Sequence, residues 1–168
     1  YFYWINIGST ANKELVNKIS VLCKKEKLEK YFLLLGAKEN PYKYMKLANA
    51  VTVLSDFESW SMVITEAKLL GVPVIATKTS GALEQIENEK TGLLTEFNDR
   101  DIAKQIEFFI CNPNIQKEIR KNLQGFDNTN EVLKTFDCFL HKKSVKSKDI
   151  LYIIDDVNYK SGAHNATI

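Results

Sequence analysis

A strand, a polar loop and a helix follow one another over residues 51–73, and this succession constrains the fold most. Residues 51–54 are apolar and largely β-branched, as is typical of a buried strand. A helix is predicted over residues 62–70, because Gly71 and Pro73 stand where helices end. In α/β proteins a loop between a strand and a helix lies at the carboxyl edge of the sheet, where free N–H groups of the helix attract anions. The pattern therefore predicts a ligand-binding junction.

Two carboxylates frame this polar loop. Glu58 lies in the loop and Glu66 lies just over one turn into the predicted helix, with seven residues between them. A carboxylate accepts hydrogen bonds through both oxygens, so the pair could hold two sets of sugar hydroxyls. Acids near helix starts are also common on solvated surfaces. The spacing alone leaves both interpretations open.

Further motifs follow the two acids in order. Ala67 comes directly after Glu66, and then come GVPVI over residues 71–75, TSGALE over 79–84 and KTGLL over 90–94. In this order and spacing the stretch resembles the donor-binding, C-terminal domain of retaining GT-B glycosyltransferases of the group 1, or family 4, type. The resemblance covers residues 1–140. One difference is Ser59, which stands where the family often has glycine.

The resemblance implies a Rossmann-like α/β fold, the C-terminal half of a GT-B fold. The alternation of apolar strand-like and helical segments independently favours a parallel sheet with helices on both faces. Strands are predicted over residues 1–7, 31–35, 51–54, 74–77 and 93–94. One helix is predicted to end near residue 27. Further helices are predicted over residues 41–47, 62–70, 83–87, 99–110, 115–123 and 131–140.

The composition changes after residue 140. Residues 141–148, HKKSVKSK, predict a solvated basic linker, and the alternative is a basic patch that contacts a membrane surface. Residues 149–168 are predicted to form an extra strand and loop. This segment resembles the start of an N-terminal GT-B domain, which would begin a second transferase module. The alternative is a sixth strand of the present sheet.

The composition as a whole excludes several classes of protein. Of the 168 residues, 45% are hydrophobic and 26% are charged, as in a folded domain. The net charge of +2 gives no support for nucleic-acid binding. Three cysteines without CxxC spacing favour a cytoplasmic protein, and no apolar run is long enough to span a membrane. His141 and His164 lack partners at metal-ligand spacing, so neither a metal nor a cofactor is predicted.

The resemblance also implies roles for individual residues. Glu58 would be the catalytic residue and would hold hydroxyls of the donor sugar, while Glu66 would hold the ribose hydroxyls. The co-substrate would be a nucleotide-sugar, and its sugar would pass to a glycan, lipid or other acceptor. The residues whose backbone amides would face the diphosphate are Ser59, Trp60, Ser61 and Met62.

The family also has an Arg and a Lys that clamp the diphosphate, and an N-terminal domain that binds the acceptor. We expect both upstream of Tyr1, since the chain lacks an initiating Met. The chain alone is therefore expected to be inactive. Two alternatives are a non-catalytic nucleotide- or sugar-binding module of GT-B shape and a sugar-nucleotide epimerase. An Arg and a Lys upstream of Tyr1 would favour the transferase.

Overall fold

Strands and helices alternate along the chain, as the sequence predicts. The structure is a computed structural model, and it describes residues 2–8 and 12–126. Within these ranges the strands are β1 (Trp4–Asn6), β2 (Phe32–Leu34), β3 (Val51–Val53), β4 (Val74–Thr77) and β5 (Leu93–Thr95). The helices are α1 (Lys13–Lys25), α2 (Tyr42–Leu47), α3 (Met62–Leu69), α4 (Ser80–Gln85), α5 (Asp99–Cys111) and α6 (Pro113–Leu123). The helix predicted over 131–140, the linker over 141–148 and the strand and loop over 149–168 lie outside the described residues.

All strand pairs in the described residues are parallel, which confirms the predicted α/β class. Strand β1 pairs with β2, and β3, β4 and β5 form a second sheet in that order. The prediction was of one sheet, and the backbone hydrogen bonds define two. In the three-stranded sheet Val51 lies opposite Val74, and Ile75 lies opposite Leu93. Strand β4 has a partner on each side, and all four of its residues are buried.

Helices cover both faces of the three-stranded sheet. Successive side chains of a strand point to opposite faces, and β4 shows this alternation directly. Val74 and Ala76 pack in a cluster with Ile64 and Ala67 of α3, with Ala82 of α4 and with Ile86, which directly follows α4. Ile75 packs in a second cluster with Leu93 of β5 and with residues of α5 and α6, namely Phe109, Ile119 and Leu123. The predicted placement of helices on both sides is therefore confirmed for this sheet.

A glycine terminates helix α3, as predicted. Gly71 has φ +70°, a left-handed conformation that other L-residues adopt only with strain. Its N–H donates to the carbonyl of Lys68 at 3.0 Å, and the N–H of Val72 donates to that of Ala67 at 2.9 Å. These bonds satisfy the last free carbonyls of the helix. The chain then turns directly into β4.

Helix α4 begins three residues earlier than predicted. The prediction began it at Leu83, and the structure begins it at Ser80. Thr79 has an extended backbone, and its hydroxyl accepts a hydrogen bond from the N–H of Ala82 at 3.3 Å. Threonine is a favoured N-cap residue, so Ser80 and Gly81 belong to the first turn of the helix.

Candidate functional site

The loop of residues 54–61 connects the carboxyl end of β3 to the first turn of α3. Ser61 is the N-cap of α3, with an extended backbone at φ −97° and ψ 112°. Its hydroxyl oxygen accepts a hydrogen bond from the N–H of Ile64 at 3.4 Å, and the residue is only 3% exposed. The buried serine therefore fixes the direction in which the loop enters the helix. The predicted strand, loop and helix junction is confirmed as a structural unit.

The predicted site residues of this loop differ in exposure. Glu58 is half-buried, Ser59 is exposed and Ser61 is buried. Trp60 is 49% exposed and Met62 is 61% exposed. These two large apolar side chains are exposed enough to contact a ligand that binds at the start of α3. The structure therefore brings the predicted residues together at one edge of the sheet, where parallel α/β folds bind ligands.

Two residues of helix α4 donate hydrogen bonds to the backbone of the Glu58 loop. The N–H of Gly81 donates to the carbonyl oxygen of Glu58 at 2.9 Å, and the hydroxyl of Ser80 donates to the same oxygen at 3.2 Å. A Cβ atom added at Gly81 would lie 2.6 Å from the carbonyl oxygen of Ser59 and 2.8 Å from the nitrogen of Trp60. Only glycine allows this close approach of two backbones. The sequence motif TSG marked this glycine, but its contact with the loop was not predicted.

Glu66 lies on α3 and is half-buried. The hydroxyl of Tyr42, on α2, donates a hydrogen bond to its Oε1 at 3.2 Å. The negative charge of Glu66, together with this hydrogen bond, raises the pKa of the Tyr42 hydroxyl above its usual value. Sequence reasoning missed Tyr42, because the two residues are 24 positions apart and only the packing of α2 beside α3 joins them.

A buried polar network fixes α4 against α3. The hydroxyl of Thr65 donates to the Oε1 of Gln85 at 2.9 Å, and the Nε2 of Gln85 donates to the carbonyl of Gly81 at 3.0 Å. The ammonium group of Lys68 donates to the carbonyl of Gln85. Lys68 is 7% exposed, and its burial lowers the pKa of the ammonium group. Because α4 supports the loop, this network also sets the position of Glu58.

The carboxyl edge of the sheet carries one further charged pair. Lys78 follows β4 and Glu96 follows β5, and their Nζ and Oε1 atoms are 2.6 Å apart. Both side chains are exposed, so the pair contributes little to stability. Its charges nevertheless lie at the same edge of the sheet as the Glu58 loop.

Among residues 2–8 and 12–126, no group of three or more His, Cys, Asp or Glu side chains is placed to hold a metal ion. In the same part of the chain, no helix is both long and apolar enough to span a membrane.

A bacterial synthase and a bacterial transferase are each similar to part of this chain. N-acetyl-alpha-D-glucosaminyl L-malate synthase of Bacillus anthracis is 35% identical over 78 residues, which are 46% of this chain and 20% of that protein. N-acetylgalactosamine-N,N'-diacetylbacillosaminyl-diphospho-undecaprenol 4-alpha-N-acetylgalactosaminyltransferase of Campylobacter jejuni is 35% identical over 88 residues, which are 52% of this chain and 24% of that protein. The chain therefore matches less than a quarter of the length of either relative.

Solved structures of other proteins share the fold. Anabaena Alr3699/HepE, crystallised in complex with UDP, has a TM-score of 0.71 and 24% identity over 81% of this chain and 41% of that chain. A glycosyltransferase from Rickettsia africae has a TM-score of 0.71 and 21% identity over 85% of this chain and 41% of that chain. At such identities the similarity concerns the fold, and it confirms the predicted likeness to GT-B glycosyltransferases.

The match at the level of the family extends much further along the chain than either pairwise alignment. Residues 6–126 match the family model described as Glycosyl transferases group 1. The matched range includes every strand and helix from α1 to α6 and both framing acids. The order of motifs and the parallel α/β fold agree with that match, and the chain belongs to the group 1 glycosyl transferase family.

Proposed function

We propose that this chain is the nucleotide-sugar-binding, C-terminal part of a retaining glycosyltransferase. The observation that carries the proposal is the Glu58 loop, which lies at the carboxyl edge of a parallel sheet directly before α3, the helix that bears Glu66. Membership of the group 1 family supports the reaction class. Structures with the same fold have been solved with UDP and with UDP-glucose, which supports a nucleotide-sugar donor.

In this proposal each part of the junction holds a different part of the donor. Glu66 accepts hydrogen bonds from the ribose hydroxyls, and Glu58 accepts them from the hydroxyls of the sugar that is transferred. Both acids are half-buried, so a ligand can reach them while part of their solvation is already lost. The backbone amides at the start of α3 face the diphosphate. They belong to Ser59, Trp60, Ser61 and Met62.

The chemistry of transfer requires stabilisation of a leaving group. The diphosphate gains negative charge as the bond to the sugar breaks, and fixed N–H donors aimed at that charge lower the barrier. The partial positive charge at the start of α3 acts in the same direction. The proposed function of Glu58 is to bind the sugar more strongly in the transition state, because the sugar becomes cationic there.

The proposal also covers other parts of the full protein. An N-terminal GT-B domain would bind the acceptor and supply a basic Arg and Lys pair for the diphosphate. The greater length of the relatives supports such a domain. The name of the Campylobacter jejuni relative specifies an undecaprenol-linked acceptor, which supports a lipid-linked acceptor. The proposal includes a cytoplasmic location with contact to a membrane. Residues 141–148 as a basic linker and residues 149–168 as the start of a second module belong to the same proposal.

The proposal is tested with the complete protein that contains this chain. Glu66→Gln keeps the shape of the side chain and removes its charge. It should weaken UDP binding by at least tenfold, since a charge-assisted hydrogen bond contributes about 1.5–3 kcal/mol. Glu58→Gln should lower kcat with UDP-sugars and change the affinity for UDP little, because its partners belong to the transferred sugar. Titration calorimetry and steady-state kinetics measure these effects.

A matched control is Glu107→Gln, because Glu107 is exposed on α5, and its variant should behave like the wild type. If Glu66→Gln binds UDP and turns over as the wild type does, the site assignment is wrong. Binding of UDP-sugars without any transfer would instead favour the non-catalytic module, and epimerised product would favour the epimerase.

A further inference from the structure

Tyr42 connects two helices at the Glu66 carboxylate. Its side chain extends from the first residue of α2, and its hydroxyl donates to the Oε1 of Glu66 on α3 at 3.2 Å. Tyr42 is 46% exposed and Glu66 is half-buried. The hydrogen bond therefore lies at the surface, where an incoming ligand would meet it.

The stoichiometry of this hydrogen bond leaves the carboxylate able to bind a ligand. A tyrosine hydroxyl has one proton to donate, and an ionised carboxylate has about four acceptor sites on its two oxygens. The donation to Oε1 therefore occupies one site and orients the carboxylate. The remaining sites, including all those of Oε2, can accept hydrogen bonds from the hydroxyls of a ligand.

The position of Tyr42 is set by the core. Met45 of α2 and Ala48, which ends this helix, pack against the cluster that contains Ile64 and Ala67 of α3. The two helices that carry Tyr42 and Glu66 are thus held by the same buried cluster. Tyr42 can orient the carboxylate before a ligand binds, and a side chain that is already ordered loses less entropy on binding.

We propose that Tyr42 is a positioning residue that holds the Glu66 carboxylate in the orientation in which it accepts the ribose hydroxyls of the donor. This inference rests on the proposed function, since it needs Glu66 to contact the ribose. Tyr42 acts through Glu66 and need not touch the donor itself.

A double-mutant cycle in the complete protein tests the inference, with UDP as the probe and calorimetry as the measurement. Tyr42→Phe removes only the hydroxyl, and it should lower the affinity for UDP by about three- to tenfold, in line with the cost of ordering one side chain on binding. Glu66→Ala leaves Tyr42 nothing to orient. Adding Tyr42→Phe to Glu66→Ala should therefore cause no further loss, because the two residues act as one unit.

Two controls separate positioning from general loss of structure. Tyr44→Phe makes the same change on the same helix and should leave UDP affinity unchanged. Urea unfolding should give nearly the same midpoint for the wild type and Tyr42→Phe, because the hydrogen bond of the exposed Tyr42 adds little to stability. A purely structural effect would move that midpoint and would persist in the Glu66→Ala background.

The outcomes distinguish the two proposals. If Glu66→Ala weakens UDP binding but Tyr42→Phe does not, the positioning role is wrong and the donor site stands. If the two losses are additive, Tyr42 acts independently of Glu66 and the inference is also overturned. If Glu66→Ala leaves UDP affinity unchanged, the donor-site assignment is wrong, and the role of Tyr42 is refuted with it.

Discussion

At the scale of single residues, the candidate site depends on the charge of Glu66 and on the absence of a side chain at Gly81. Glu66 can hold hydroxyls well only as an anion, because an ionised carboxylate is purely an acceptor. Because Gly81 has no side chain, the backbone of α4 lies very close to the loop. A Cβ atom added at Gly81 would be 2.6 Å from the carbonyl oxygen of Ser59. Each feature can be altered by a substitution that changes little else.

The ionisation of Tyr42 reports the charge of Glu66. Glu66 raises the pKa of Tyr42 above the usual value of 10.0, mainly by its negative charge and then by the hydrogen bond. Glu66→Gln removes the charge, so the pKa of Tyr42 should fall toward the usual value. NMR of tyrosine labelled at the Cζ atom measures this change, with Tyr42→Phe identifying the resonance. Identical titrations in the wild type and Glu66→Gln would contradict the pairing.

The sign of the pH effect on stability follows from the raised pKa. The folded state favours the neutral hydroxyl of Tyr42, so its contribution to stability is present below about pH 10. That contribution is lost as the pH rises through the raised pKa. Glu66→Gln should therefore show a weaker loss of stability than the wild type over this alkaline range.

Gly81→Ala tests the close approach of α4 to the Glu58 loop. The added Cβ cannot be accommodated without a backbone shift, so the free energy of unfolding should fall by about 1–3 kcal/mol. Urea unfolding measures this, and limited proteolysis should cleave residues 54–61 faster. Gly8→Ala is the matched control, since a Cβ there meets nothing within 4 Å. Equal stabilities for the two variants would show that the loop does not need this contact.

At the scale of helices and strands, local signals predict the elements well and tertiary contacts poorly. The start of α3 at Met62 and its glycine stop were predicted, the stop because Gly71 acts within a few residues of chain. The start of α4 was predicted three residues late, because the cap signal of Thr79 was not used. Contacts of Tyr42 with Glu66, and of Gly81 with Ser59, depend on how separate elements pack, and no local pattern contains that information.

Gln85→Met tests the network that joins α3 to α4. Methionine keeps the volume of the side chain but loses the hydrogen bonds to Thr65 and Gly81. The free energy of unfolding should fall by about 1–3 kcal/mol. Gln124→Met, at an exposed position at the end of α6, should change it by less than about 0.5 kcal/mol. Equal effects at both positions would mean that the network contributes nothing to stability.

At the scale of the described part of the chain, the contacts of Arg120 and the candidate site lie at opposite edges of the three-stranded sheet. Arg120 of α6 donates to the carbonyls of Ala48 at 2.9 Å and Asn49 at 3.1 Å, just before β3. It also donates to the carbonyl of Gly71, before β4, at 3.5 Å. Helix α6 thus holds the amino ends of both strands, while the Glu58 loop leaves from the carboxyl end of β3.

Arg120→Met tests this amino-edge contact. The variant keeps most of the aliphatic stem but loses the charged donors, so the free energy of unfolding should fall by about 1–3 kcal/mol. Lys121→Met, at the next and exposed position of the same helix, should change it little. Urea unfolding of both variants gives the comparison. A destabilisation of equal size in both would show that the carbonyl contacts of Arg120 are dispensable.

The proposed donor site is the junction of the Glu58 loop and α3. Amide hydrogen exchange of the complete protein, with and without saturating UDP, tests it most directly, because bound phosphate and ribose slow the exchange of the amides that they contact or order. UDP should protect residues 59–62 and the first two turns of α3 more than any other segment of residues 2–8 and 12–126. If calorimetry shows that UDP binds, but these amides exchange at the same rate and the protection lies elsewhere, the claim is contradicted.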